Sequence, residues 1–166
     1  MSAPSENRRG GAPVGCLSEL PPVEAAAVVY LRLWCSGGER QAEVWNSFAI
    51  RFGSSEGARR LKAFERLMAT ITDAARRPIM RHQLDCSCVG ADEAIFANLV
   101  AAAASGASED AVLFAALLVH PHMAAPVVAE ARLVGQSLSA MAANGSPAPQ
   151  TSKSHRFTHA HSPTRH

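Results

Sequence analysis

Across residues 21–143, apolar side chains recur at helical spacing in six consecutive segments, and glycine, serine or proline closes nearly every one. An apolar residue every three or four positions builds a helix with one buried stripe, whereas a half-buried strand needs strict alternation. That pattern predicts an all-α chain. The first segment follows Pro21 and Pro22, which suit a first helical turn. It covers residues 23–35, with Ala27, Val28, Leu31, Trp34 and Cys35 on one face, and Ser36-Gly37-Gly38 stops it. The second covers residues 39–52, with Ala42, Trp45, Phe48, Ala49 and Phe52 as its stripe. The third, residues 56–77, buries Leu61, Phe64, Leu67, Met68, Ile71 and Ala75, and Ser54 or Ser55 is placed to cap it. Pro78 ends it, because the residue before a proline avoids the helical region.

Residues 79–91 show no period and read as a connector. A fourth helix over residues 92–104 starts with Asp92 and Glu93, acids favoured by the macrodipole, and turns Ile95, Phe96, Leu99, Val100 and Ala103 inward. A fifth, capped by Ser108 and running to residue 120, is apolar nearly all round through Val112, Leu113, Phe114, Leu117, Leu118 and Val119. Such a helix is expected at the centre of a bundle. The sixth, residues 124–142, keeps Val127, Ala131, Val134, Leu138 and Met141 in register. Together these predict an irregular bundle of about six helices in a single domain. Residues 1–20 and 144–166 lack periodicity and read as flexible tails. The segments DEAIFANLV and EDAVLFAAL look alike, but there is no third copy to make a repeat protein.

Composition supports the same class. Hydrophobic residues make up 48% of the 166, yet aromatics only 5%, so the core is drawn from strong helix formers such as Ala and Leu. A net charge of +2 gives no bulk attraction to nucleic acid or an anionic membrane. The apolar run at residues 25–31 is far short of the ~20 residues that span a bilayer, and no other run in the chain approaches that length. Residues 1–20 lack the apolar stretch of a secretory signal, so the four cysteines are expected to stay reduced in the cytoplasm.

The chemistry concentrates in the connector, at His82-x3-Cys86-x-Cys88. Imidazole and thiolate are the ligand types of zinc, and a loop between helices can wrap an ion. His122 is the candidate for the fourth ligand, with His120, Cys35 and Asp85 as alternatives. One residue between the cysteines is closer than the two to four of the usual structural zinc sites. The same pair, just before a helix N-terminus, also suits a reactive thiol, although the thioredoxin-type Cys-x-x-Cys and its βαβ setting are lacking.

Other features read as structure. Arg59, Arg60, Lys62, Arg66, Arg76 and Arg77 line the third helix, but Glu65 and Asp73 interrupt them, which suits a solvated face. Asp92 and Glu93 are adjacent on a helix, so their side chains diverge and make no carboxylate dyad. Trp34, Trp45 and Phe48 are spaced as core. His155, His159, His161 and His166 fall in the tail, where weak metal binding is the most they suggest. No catalytic constellation is evident: there is no phosphate loop, no G-x-S-x-G and no H-E-x-x-H. Three function classes follow. The first is a non-enzymatic interaction or regulatory protein that binds a protein partner, with self-association as one form of it. The second is a zinc-binding or thiol-sensing module on His82, Cys86 and Cys88. The third is a helical enzyme whose site the sequence does not reveal.

Overall fold

A computed structural model describes residues 9–145. Six α-helices form a single bundle among these residues: α1 (Pro22–Trp34), α2 (Gly38–Phe52), α3 (Ser54–Ala74), α4 (Ala91–Ser105), α5 (Ser108–Leu118) and α6 (Ala124–Ala143). Their boundaries follow the expected ones closely, and the breaks have local causes. Gly53 and Gly106 adopt φ of +79° and +83°, a left-handed conformation that side-chain-bearing residues avoid. Gly53 and Ala107 hold the N-cap positions of α3 and α5, so Ser54 and Ser108 fall inside the first turns and do not cap them. Helices α3 and α5 both end earlier than their periodicity suggests. Ala75 turns extended and bridges Val119, while Arg76 N–H donates to the Leu118 carbonyl and His120 N–H to that of Ala74. Each helix end thus satisfies backbone groups of the other.

The hub of the bundle is α4, which packs on α1, α5 and α6 and buries Phe96, Ala97, Leu99, Val100 and Ala103. On α6 the expected stripe of Val127, Ala131, Val134, Leu138 and Met141 is fully inside. These two helices approach closely because Gly135 has no side chain. A Cβ there would stand 2.5 Å from the Val100 carbonyl oxygen and 2.6 Å from the Ala104 Cβ. Tyr30, Trp34, Phe48 and Phe64 gather at the junction of α1, α2 and α3, with edge-on rings 5.5 Å apart for Trp34 and Phe64. Each such aromatic pair adds about 0.5–1.5 kcal/mol beyond its burial.

Two expectations about the core are corrected. Helix α5 lies at the flank, not the centre. It faces its neighbours through Ala111, Ala115 and Leu118, leaving Leu113 66% and Leu117 57% exposed, with Val112 beside them. An all-round apolar helix does not choose a face by itself; the small alanines allow the closer approach and set it. On α2, Trp45 is 46% exposed, and Val44 and Phe48 form the buried stripe instead. No helix among the described residues is long and apolar enough to cross a membrane.

Residues 9–20 also differ from the flexible lead expected of them. Strand β1 (Pro13–Cys16) pairs antiparallel with β2 (Cys88–Gly90), and a 3-10 turn at Leu17–Glu19 leads on towards α1. A strand this short leaves no readable period, and its partner lies in the connector far along the chain. Residues 1–8 and 146–166, with most of the expected C-terminal tail and its histidines, lie outside the described residues.

Candidate metal centre

The connector between α3 and α4 is pinned from three sides. Arg32 rises from α1 and is 1% exposed, so its charge needs full compensation. Its Nε and Nη2 donate to the two carboxylate oxygens of Glu93 at 2.7 and 2.9 Å. Its Nη1 donates to the Cys86 carbonyl at 2.7 Å and its Nη2 to the Cys88 carbonyl at 2.6 Å. One guanidinium therefore fixes the backbone on both sides of Ser87.

Glu93 is fully buried and answers in kind. Beyond Arg32, it accepts from the backbone N–H groups of His82 at 3.0 Å and Gly90 at 2.8 Å. Burial works to raise the Glu93 carboxyl, but the hydrogen bonds from Arg32, Gly90 and His82 outweigh it and hold the group below the ordinary carboxylate value. Its neighbour Asp92 diverges as expected, yet it too serves the connector. It takes a two-pronged ion pair from Arg77 at 2.7 Å and the Met80 N–H at 2.8 Å. Gly10 packs so closely on the Asp92 carboxylate that a Cβ there would stand 2.1 Å from its Oδ2. The two acids at the start of α4 are the anchors of the loop, a role that the sequence reading gave only to the helix dipole.

On this platform His82, Cys86 and Cys88 come together. One ligand atom from each lies within 4.8 Å of the other two, and all three side chains are partly exposed. His82 Nε2 is 2.9 Å from the Gly11 carbonyl. A carbonyl only accepts, so Nε2 carries the proton, which leaves Nδ1 to face the Cys86 Sγ at 3.4 Å. The ring sits against Gly90, where a Cβ would stand 3.0 Å from His82 Cδ2. An imidazole held by a backbone carbonyl through one nitrogen, with the other directed at the site, is the arrangement that orients histidine ligands of metals. The thiols differ in character. Cys86 is held below its ordinary value by the Cys88 backbone and thiol first, and by the His82 ring beside it. Cys88 is pushed up, first by Cys86, and also by burial and by Cys16.

One edge of the group has the length a zinc ion needs. A tetrahedral site with Zn–S of ~2.3 Å and Zn–N of ~2.0 Å separates its sulfur and nitrogen ligands by roughly 3.5 Å. The observed Nδ1 to Sγ separation matches that edge. The single residue between Cys86 and Cys88 has a local reason as well. Alternate residues of an extended chain share a side, and this segment leads directly into β2.

The other expected ligands lie apart from this group. His122 stacks on His120, ring centroids 6.0 Å apart, and both line a shallow pocket with Thr70, Asp73 and Met123. The bridge between Ala75 and Val119 holds them at the ends of α3 and α5. Cys35 belongs to the end of α1, where its carbonyl accepts from Arg81 at 2.6 Å. Asp85 is not in the group either. Cys16, the ladder partner of Cys88, carries no signal of its place in the sequence, because nothing marks residues 13–16 as a strand. The basic residues of α3 are largely accounted for by acids: Arg59 and Arg60 pair with Glu56, and Arg66 with Glu130. The chain matches no protein-family model, and neither a curated protein nor a solved structure matches it.

Proposed function

We propose that this protein is a zinc-binding helical module, with His82, Cys86 and Cys88 as ligands in the connector between α3 and α4. The observation that carries the reading is the locked imidazole: His82 Nε2 is committed to the Gly11 carbonyl while Nδ1 faces the Cys86 thiol. Imidazole with thiolates is a donor set that suits zinc, and carboxylate-preferring ions are disfavoured. A compartment that keeps thiols reduced, such as the cytoplasm, would preserve the site. Zinc content of untagged protein, purified under reducing conditions, tests the proposal. One zinc per chain, lost in Cys88→Ser, is the expected result. Metal-free protein that stays metal-free when zinc is added would refute it.

A second reading, binding of a protein partner, is favoured by one observation. Leu113 and Leu117 stand one helical turn apart on the outer side of α5, both well exposed, with Val112 next to them. The two readings are compatible, since a metal that fixes the connector also fixes the start of α4, on which α5 packs.

A further inference from the structure

Resting on the zinc reading above, we propose that Cys16 is the fourth ligand, so that the metal closes a Cys3His site and staples the N-terminal segment to the bundle. Cys16 and Cys88 are direct partners across the β1–β2 ladder. The Leu17 N–H donates to the Ser87 carbonyl at 2.8 Å, one residue beyond each cysteine. That bond makes Cys16 and Cys88 a non-hydrogen-bonded pair, the closer of the two antiparallel arrangements, with both side chains on one face of the ribbon. Cβ atoms in such pairs lie ~4.5–5.5 Å apart.

That spacing accommodates a shared ion. A disulfide draws its Cβ atoms to about 3.5–4.5 Å, the near limit of the spacing general to such pairs. Two sulfurs on a tetrahedral zinc sit roughly 3.8 Å apart, a separation that thiols on Cβ atoms ~5 Å apart reach without moving the backbone. The Cys16 thiol is outside the group of three that lies within 4.8 Å, and the residue is exposed. Its backbone, however, is already fixed: the Cys16 N–H donates to Glu19 Oε2 at 3.2 Å, and the next residue is bonded to the Ser87 carbonyl.

The fourth position also decides the kind of site. Three protein ligands leave a coordination position for water and substrate, as catalytic zinc requires, whereas four close the shell and make the metal structural. With Cys16 in place the ion joins β1 to β2, and its role is to hold residues 9–20 against α4.

The test compares wild type, Cys16→Ala and Cys35→Ala, each confirmed as folded by its helical circular dichroism. Zinc affinity is measured by competition with a chromophoric chelator, and the absorption of the cobalt-substituted protein is recorded. Cys16→Ala is expected to lose more than about tenfold in zinc affinity, since even an outer-sphere partner is worth that much. Its sulfur-to-cobalt charge-transfer band should fall in proportion to one thiolate lost of three, and Cys35→Ala should match wild type in both. If wild type binds zinc and Cys16→Ala binds it equally, with an unchanged cobalt spectrum, the fourth ligand is not Cys16 and the three-ligand reading stands alone. If Cys35→Ala shows the loss instead, Cys16 is likewise excluded. Absence of zinc from wild type would remove both readings.

Discussion

Arg32 and Glu93 show how two buried charges can organise a site they do not enter. Each is nearly inaccessible to water, and each spends its remaining hydrogen bonds on the connector's backbone. Removing one partner leaves the other as an uncompensated buried charge, a loss of about 3–5 kcal/mol. Glu93→Gln is therefore expected to destabilise the fold by about that range in denaturant melts, and to weaken metal binding because the new amide nitrogen no longer accepts from one of the two backbone N–H groups, His82 or Gly90, that the carboxylate holds. A loss below about 1 kcal/mol would show that the pair is not the keystone described here. The sequence displayed Asp92 and Glu93 plainly, but as helix-start acids. Their true partners, Arg32, Arg77 and the backbone of residues 80–90, are tertiary neighbours that no local pattern discloses.

The helices themselves were legible. Amphipathic period, glycine breaks and Pro78 placed all six within a few residues, and the buried stripe of α6 was read without error. Where reading failed, the pattern carried no orientation. Helix α5 is apolar on every side, so its place in the bundle depends on which face is smooth enough for α4. Ala111 and Ala115 are, and Leu113 and Leu117 are left outside. The consequence is measurable. Leu138→Ala on α6, in a fully buried site, is expected to cost about 2–5 kcal/mol. Leu117→Ala should cost about 0.5 kcal/mol or less, as a surface change. Equal losses in parallel thermal melts would return α5 to the core. Strands β1 and β2 were illegible for a different reason: they are four and three residues long, shorter than any period can register.

At the scale of the molecule, a helical bundle with a full apolar core carries a small polar apparatus at one end. There the N-terminal segment, the connector and the start of α4 meet around His82, Cys86 and Cys88. The sequence picked out His82, Cys86 and Cys88, which the structure brings together, and added His122, which lies apart from them, since ligand spacing identifies residue types but not which distant segment folds beside them. A bound ion would tie β1, the connector and α4 into one unit, and its binding energy would add to folding because the unfolded chain has no formed site. The most direct check is the thermal melt of zinc-loaded protein with and without a strong chelator, run beside Cys88→Ser. Wild type is expected to melt at a lower temperature once the metal is stripped, while the variant, lacking a ligand, should be nearly indifferent to the chelator. Identical wild-type melts with and without chelator would contradict the metal centre and leave the exposed face of α5 as the functional surface.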